Sequence, residues 1–331
     1  MDTPLRFEPF LRPMVWGGRG LAEHLDKKLP TAERYGESWE ISDHPIHRSV
    51  VANGPYAGQS VRSLMQMEVS KLLGPASASH RTLPWLFKFL DACDWLSVQV
   101  HPDEEKVRKL WPGEGSKTEA WLVIDAQPGS RIYAGLLPNV DEKRLRDANG
   151  AGKIADCLHS FQPQPGDCVF LPAGTVHAVG GGVLIAEIQQ TSDATFRLYD
   201  WDRLGADGKP RQLHLEEAIA SIHWNQGPVH PVRCAGFPRS GEPSPPTKQH
   251  RQRLVTCRYF HIEYIRAGEP FVCGGGNRLE LLAVLGGKGN LVTGRNKEQM
   301  DRGHVWLLPA SMPNSCCRPE GTIHALHCVL P

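Results

Sequence analysis

GDCVFLPAGTVH, residues 166–177, has a fainter copy, GHVWLLPASMPN, at residues 303–314 of the same chain. The two copies share their first glycine and the Leu-Pro-Ala run in their middle. At the last matched position the first copy has His177 and the second has Asn314. The repeat therefore predicts two related units, of which one keeps an imidazole for chemistry and the other has a structural role.

The composition limits the class of protein. The 331 residues carry 37 Lys and Arg against 36 Asp and Glu, with no polybasic run, which argues against nucleic-acid binding. No apolar run approaches the ~18 residues of a membrane span, and the opening MDTPLRFEPFLRP is charged where a signal peptide is apolar. Nine cysteines without a C-x-x-C pair are typical of buried thiols in a reducing compartment. We therefore expect a cytoplasmic protein with no nucleic-acid or membrane partner.

Glycine and proline interrupt the chain often, which favours short strands over long helices. Strand-like runs lie at residues 95–100, 120–124, 168–171, 183–189, 254–264, 279–285 and 305–308. Helical patterns lie at residues 60–73, 104–110 and 214–222. Many short strands without strand–helix alternation predict a mainly β protein, built as a β-sandwich or β-barrel.

The segment GFPRSGEPSPPTKQH, residues 236–250, is the clearest candidate linker, because it offers no apolar face to bury. It divides an N-terminal part, residues 1–235, from a C-terminal unit, residues 251–331. An ordered loop is the alternative.

Three segments supply side chains of the kind that bind metals. Alternation along the strand LSVQVH places Gln99 and His101 on one face, and in KTEAW it places Lys117 and Glu119 on one face. His177 ends the segment PAGTVH. Imidazole, carboxylate and amide oxygen suit zinc, iron or manganese, and the lack of a thiolate argues against a closed structural zinc site.

Each of these residues has a simpler interpretation on its own. A single histidine among the 15 is usually a surface or hydrogen-bonded residue. Glu119 alone could be a solvated strand residue, and Gln99 a polar group at the mouth of a barrel. The combination is informative: G-x5-P-x-G-x2-H follows an upstream polar-x-His strand and a glutamate.

These residues resemble a known family. G-x5-P-x-G-x2-H is similar to the second cupin motif, and Gln99-x-His101 with Glu119 resembles a variant of the first. Their setting in SVQVHPDEE, KTEAW, LPAGTVHAVG and EIQQTSDATFRLYDWDR is similar to type I mannose-6-phosphate isomerases, as are PMVWGGRGL and YGESWEISDHP. The resemblance runs from about Leu5 to the C-terminus and is closest to the short bacterial form.

The resemblance implies a mainly β fold of two cupin-like jelly-roll units with a few short helices, the second without metal ligands. It implies a zinc-dependent aldose–ketose isomerase that interconverts D-mannose 6-phosphate and D-fructose 6-phosphate through an enediolate. One Zn²⁺ per chain, or another divalent ion, is expected on Gln99, His101, Glu119 and His177. The sugar phosphate is the expected partner, and the short bacterial form favours a monomer.

The family's functional arginine corresponds to Arg197. Arginine stays protonated, so its expected role is to stabilise the enediolate or to clamp the sugar phosphate. An ion pair with Asp200 or Asp202 is the structural alternative. Lys117 is the second predicted catalytic residue, and it could act as the base or hold the phosphate as a point charge.

Three further residues are predicted to bind the substrate. Ser97 lies two positions before the predicted ligand glutamine and corresponds to a family serine. Glu187 alternates with Ile185 and Gln189 and could assist ring opening or proton transfer. Trp16 could form an apolar wall of the sugar pocket.

Two other functions fit part of the pattern. An Fe(II) dioxygenase of the cupin class would usually gather more imidazoles than the two that are aligned here. A carbohydrate-binding or sensory protein with two cupin units would bind sugar phosphate without turnover.

Overall fold

Short antiparallel strands are the predominant secondary structure of the chain, as its composition predicts. The computed structural model describes residues 1–205, 208–238 and 248–331. The strands are β1 Leu5–Arg6, β2 Phe10–Gly18, β3 Tyr35–Ile41, β4 Asp43–His44, β5 His47–Arg48, β6 Trp85–Ala92, β7 Val98–Val100, β8 Glu119–Ala126, β9 Ile132–Leu136, β10 Leu158–Phe161, β11 Asp167–Leu171, β12 His177–Val179, β13 Val183–Gln190, β14 Phe196–Tyr199, β15 Val232–Arg233, β16 Gln249–Thr256, β17 His261–Ala267, β18 Phe271–Cys273, β19 Glu280–Gly286, β20 Gly289–Thr293, β21 Asn296–Met300, β22 Val305–Leu308, β23 Ser315–Pro319 and β24 Ile323–Val329.

The helices are short, and they lie between strands. They are α1 Gly20–Leu25, α2 Val61–Met67, α3 Val69–Leu73, α4 Glu104–Leu110, α5 Glu142–Gly150 and α6 Leu215–Ser221. Within the described part of the chain, no helix has the length and apolar character needed to cross a membrane. The predicted fold class, mainly β with a few short helices, is confirmed.

A first sandwich consists of two antiparallel sheets. The larger has the strand order β15-β11-β8-β13-β6-β3-β2 and the smaller the order β10-β9-β12-β7-β14. Apolar side chains from both sheets fill part of the space between them, among them Leu90, Val123, Ile132, Val169 and Val179. Residues of α6 and of the α5 region pack with the smaller sheet in a separate apolar cluster. Because this apolar cluster covers one side of the smaller sheet, the space between the two sheets is the place left for a functional site.

A second sandwich repeats this plan at the C-terminus. Its larger sheet has the order β1-β22-β19-β24-β17-β16 and its smaller sheet the order β18-β23-β20-β21. The repeated sequence motif places β22 where the first sandwich has β11, and the neighbouring strands then correspond in order. The edge strand β1 comes from the N-terminus, so the first residues of the chain complete the second sandwich. The division at residues 236–250 stays a prediction, and residues 239–247 of that segment lie outside the described residues.

The larger sheets of the two sandwiches pack together. Phe87 and Phe89 of β6 point to this contact, where they meet residues such as Ile262 and Leu281 of the second sandwich in one apolar cluster. Because side chains alternate along a strand, Lys88 between them points to the inside of the first sandwich. One face of β6 therefore holds the two units together while the other faces the candidate site.

Two of the expected elements are wrong in detail. The run 254–264 is not one strand but the hairpin of β16 and β17, whose turn is closed by the Cys257 N–H donating to Phe260 O at 3.2 Å. The run 60–73 is two helices, because the backbone leaves the helical region at Glu68, where φ is −135°.

The second sandwich keeps a carboxylate where the first has Glu119. In the first sandwich Leu171 pairs with Glu119, and in the second its counterpart Leu308 pairs with Glu280. Asn314 stands at the repeat position of the motif histidine. Among the described residues, the one group of three or more His, Cys, Asp or Glu side chains close enough to hold a metal lies in the first sandwich.

His327 occupies the space beside Glu280. Its Nε2 lies 2.7 Å from Glu280 Oε2, its Nδ1 lies 3.7 Å from Glu263 Oε2, and the residue is buried. Burial works against the charged imidazole, but the two neighbouring carboxylates outweigh it and raise the pKa of His327 above its ordinary value. The second sandwich therefore closes this space with a buried ion pair.

Replacing His327 by Gln should lower the free energy of unfolding by about 3 kcal/mol near pH 6 and by less at pH 9. A histidine whose pKa rises on folding adds stability below its unfolded pKa of ~6.5, and this contribution is lost as the pH rises through the folded pKa. Urea denaturation at the two pH values measures the difference.

His324→Gln on the same strand is the matched control. Burial lowers the pKa of His324 to about 4, so this substitution should cost less at pH 6 than at pH 9. A loss for His327→Gln that does not vary with pH would contradict the ion pair.

Candidate active site

His101, Glu119 and His177 converge inside the first sandwich. His101 follows β7, Glu119 begins β8 and His177 begins β12. The Nε2 atoms of His101 and His177 lie 3.4 and 3.3 Å from the two oxygens of Glu119, one on each. One ligand atom from each of the three residues lies within 4.8 Å of the other two, and the side chains are no more than 2% exposed. Both sheets thus contribute to one buried cluster.

The backbone orients both imidazoles. Nδ1 of His101 is 2.8 Å from Ala194 O and Nδ1 of His177 is 2.9 Å from Thr175 O, so each Nδ1 carries the proton and each Nε2 lone pair faces Glu119. Gly174, with φ of 88°, makes the turn that brings His177 into the sheet.

The charge states of this cluster are those of metal ligands. Burial lowers the pKa of His177 to about 3, and burial together with Lys117 lowers the pKa of His101, so both rings are neutral. Burial opposes the charge of Glu119, but the Lys117 ammonium beside it holds the pKa of this carboxyl well below the ordinary range. Both Glu119 oxygens and His101 Nε2 are buried without a hydrogen-bond partner. Neutral imidazoles whose Nε2 lone pairs face an ionised carboxylate suit a cation.

Gln99 lies beside this cluster. Gln99 on β7 is the strand partner of His177 on β12, and the Gln99 side-chain Nε2 is 3.2 Å from His177 Nε2. The amide oxygen instead accepts the Ser97 hydroxyl at 3.2 Å. Ser97 therefore contacts the cluster through Gln99.

A cavity of about 290 Å³ opens between the two sheets above the cluster. Six of the predicted site residues line it, namely Trp16, Ser97, Gln99, Lys117, Glu187 and Arg197. His101, Glu119 and His177 lie beneath its wall rather than on it. The structure thus brings every predicted site residue to one place, with the cluster below and the charged side chains around the opening.

Lys117 lies between the cavity and the His101–Glu119–His177 cluster. Its Nζ is 3.2 Å from Glu119 Oε2, and the side chain is buried. The ammonium is therefore engaged with a predicted ligand and also faces the cavity.

Arg197 points to the other wall of the cavity. Its Nη1 donates to Gln212 O at 2.8 Å, and its Nε is buried without a partner. The ion pair with Asp200 or Asp202 that the sequence allowed is not formed. Asp200 is held by Arg203 and Arg211, and Asp202 accepts the Tyr199 hydroxyl. The distances are 2.7 Å from Asp200 Oδ1 to Arg203 Nη2, 2.7 Å from Asp200 Oδ2 to Arg211 Nε, and 2.7 Å from the Tyr199 hydroxyl to Asp202 Oδ2.

Like charges meet beside Arg197. Burial and the neighbouring Arg211 lower its pKa from the ordinary arginine value. His214 also lines this wall, and its Nδ1 lies 3.4 Å from the Arg197 backbone nitrogen. Cations held side by side in a cavity are stabilised by an anion.

Glu187 belongs to a chain of charges on the opposite sheet. Its Oε1 lies 3.4 Å from Lys88 Nζ, and its Oε2 accepts the Trp121 Nε1–H at 3.1 Å. Lys88 also lies 3.6 Å from Glu37 Oε1. Burial and Glu119 raise the pKa of Glu187 to about 7, against the opposing effect of Lys88. A carboxyl with this pKa can take up or release a proton at neutral pH.

Trp16 forms an apolar wall of the cavity. The residue is buried on β2, and a side-chain carbon at Gly36 would lie 2.5 Å from its ring. Gly36 is therefore required where β3 passes the indole.

Sequence reasoning missed several residues that line the cavity. Lys88 had a signal, since WLFKFLD places one lysine in an apolar strand. Glu37, Arg12, Arg211 and His214 had no local pattern, because strand order and loop path bring them to the site.

Known proteins resemble this chain over most of its length. The sequence model of the family "Phosphomannose isomerase type I, catalytic domain" matches residues 5–170. Mannose-6-phosphate isomerase ManA of Bacillus subtilis is 34% identical in an alignment 321 residues long that covers 92% of this chain and 93% of that protein. A mannose-6-phosphate isomerase of Streptococcus mutans is 34% identical over 311 residues, 93% of each chain.

A solved structure agrees in fold. The crystal structure of the mannose 6-phosphate isomerase from Bacillus subtilis superposes with a TM-score of 0.87 at 28% identity and covers 99% of both chains. Together with the matched catalytic domain and the buried His–Glu–His cluster, this shows that the chain belongs to the type I phosphomannose isomerase family.

Proposed function

We propose that this protein interconverts D-mannose 6-phosphate and D-fructose 6-phosphate with one divalent metal ion, for which zinc is the first candidate. The observation that carries the proposal is the convergence of His101, Glu119 and His177 beneath a cavity whose lining holds more basic than acidic side chains. The family relationship supplies the reaction, and the site supplies the groups that the reaction needs.

The donor set fits such an ion. His101 Nε2, His177 Nε2 and the Glu119 carboxylate would hold it, and Gln99 would add its amide oxygen after a half-turn of the amide group. Two imidazoles with oxygen donors and no thiolate suit catalytic zinc, and also iron or manganese. When bound, the ion would polarise the sugar oxygens and stabilise negative charge that develops on them.

The isomerisation moves a proton between C2 and C1 while the hydroxyl and carbonyl exchange places. A base takes the C2 proton, the C1 oxygen gains a proton, the C2 oxygen loses one and C1 is protonated. Glu187 is our candidate for the carboxyl that moves these protons, because it lines the cavity and its pKa is near neutral. Lys117 would donate to a sugar oxygen near Glu119 and thereby favour the negatively charged intermediate.

We assign the phosphate to the wall with Arg197. Arg197 offers a buried Nε without a partner, and Arg211 and His214 line the same wall. Guanidinium matches the geometry of a phosphate and makes charge-assisted hydrogen bonds to it. Ser97 and Trp16 would contact the sugar from the remaining sides.

A coupled assay tests the function. Chelator-treated protein should show little conversion of mannose 6-phosphate to fructose 6-phosphate, and activity should return when zinc is added. Manganese and iron, added separately, compare the other ions that the donor set admits.

His177→Ala separates the candidate functions. Loss of zinc-dependent turnover in this variant would place the reaction at the cluster. Binding of the sugar phosphate without turnover by metal-loaded protein would contradict the proposal and favour the non-catalytic alternative.

A further inference from the structure

We infer that Glu37 is a positioning residue, which holds the Lys88 ammonium in place so that Glu187 can exchange a proton; this rests on the proposed function. Glu37 lies on β3, Lys88 on β6 and Glu187 on β13, three neighbouring strands of the larger sheet. Lys88 pairs directly with Glu187 across the strands, and Trp39 pairs with Lys88 on the other side.

Two hydrogen bonds other than the contact with Lys88 hold the Glu37 carboxylate in place. Its Oε2 accepts Arg12 Nη1 at 2.7 Å and Trp39 Nε1 at 2.8 Å, which leaves Oε1 to face Lys88 Nζ at 3.6 Å. The Glu37 residue is 8% exposed and Lys88 is 6% exposed. Two donors on one oxygen thus set the direction of the other.

Lys88 needs a second carboxylate. If Glu187 were its only partner, protonation of Glu187 would leave a buried ammonium without a counterion, which is strongly unfavourable. With Glu37 present, Lys88 keeps one ionised partner in both protonation states of Glu187. Glu37 therefore lowers the free-energy cost of protonating Glu187. Glu37 and Arg12 both line the cavity.

Other charged groups face this pair. Glu119 at the start of β8 and Lys117 just before it act on Glu187, and Asp193 acts on Lys88 from the loop before β14. None of them contacts Lys88 as an ion pair among the described residues, whereas Glu37 and Glu187 both do. Removing Glu37 should thus act on Glu187 through Lys88.

Glu37→Gln tests the inference in the metal-loaded enzyme. We expect kcat at pH 7 to fall about 10- to 100-fold while KM changes less than about threefold. The limb of the pH profile of kcat that reports Glu187 should move to lower pH, since Lys88 would then hold that carboxyl more firmly ionised. Glu37→Asp keeps the charge and should restore most of kcat.

Glu40→Gln is the matched control. Glu40 is also a buried carboxylate of β3 that pairs with a lysine, Lys27 at 2.7 Å, but it lies outside the cavity. It should lower thermal stability and leave kcat and the pH profile unchanged. Equal profiles for Glu37→Gln and the parent, with only a lower melting temperature, would overturn the inference.

A double variant keeps the test decisive if Glu37→Gln does not fold. Lys88→Gln with Glu37→Gln removes one charge of each sign, and it should have the kcat of Lys88→Gln alone within about twofold, because Glu37 acts through Lys88. A further loss of tenfold or more would overturn the inference. An inactive parent enzyme would instead reject the proposed function, so the two failures are distinguishable.

Discussion

Glu119→Gln should abolish metal binding and lower kcat/KM by at least about 10³-fold, because a metal-bound transition state is stabilised by several kcal/mol and each 1.36 kcal/mol is tenfold in rate. Glu119 is the only carboxylate that the two imidazoles share among the described residues. The substitution keeps the shape of the side chain and removes its charge. Metal content per chain and the coupled assay measure the two effects.

Glu280→Gln is the control for this prediction. Glu280 occupies the corresponding place in the second sandwich and pairs with His327 rather than with a pair of imidazoles. Its loss should cost stability, since it leaves a buried charge unpaired. It should not change metal content or kcat. A Glu119→Gln enzyme that kept its metal and its turnover would refute the assignment of the site.

The two sandwiches show how one plan of strands serves two purposes. In the first, Lys88 lies opposite Glu187, and in the second Glu263 lies opposite His327 at the corresponding positions. The basic residue therefore lies on β6 in the first sandwich, whereas the corresponding strand of the second, β17, carries the acidic residue. The motif position holds Asn314 instead of a histidine, and Glu280 pairs with His327 and accepts a hydrogen bond from the Gly274 N–H. Among the described residues of this sandwich, no three side chains are grouped to hold a metal.

Much of the fold could be predicted because its signals are local. The repeated Leu-Pro-Ala segments end β11 and β22, and the alternation in LSVQVH and KTEAW places Gln99 with His101, and Lys117 with Glu119, on one face of their own strands. Such periodicity depends only on neighbours in the chain. Alternation therefore predicts which side chains share a face of each strand, whereas the meeting of these strands with His177 at one metal site was implied by the family resemblance.

The parts that could not be predicted depend on distant contacts. The turn between β16 and β17 contains no Gly, Pro, Asn or Asp, and it is held by Trp85 Nε1–H donating to Tyr259 O at 2.9 Å. Glu37 reaches Lys88 only because β3 lies beside β6, although about 50 residues separate them. Strand order of this kind is set by packing of the whole sheet.

The second large effect is expected for Arg197. Arg197→Ala should lower kcat/KM for mannose 6-phosphate about 10²- to 10³-fold, the loss typical of a charge-stabilising donor in a dry site. The larger part should appear in KM, because the wall that Arg197 shares with Arg211 and His214 is assigned to the phosphate. Arg197→Lys should recover part of the loss, since it keeps the charge but not the paired donors.

Inorganic phosphate as a competitor separates the two roles that remain open for Arg197. If the guanidinium holds the phosphate group, the parent enzyme should be inhibited competitively and the inhibition constant should rise in Arg197→Ala by a factor similar to that for KM. If the guanidinium instead stabilises the enediolate, kcat should fall while the inhibition constant for phosphate stays the same, because the anion that Arg197 meets would then form only in the transition state. The pairing of Asp200 with Arg203 and Arg211 favours the first result, since it leaves the charge of Arg197 available to a ligand.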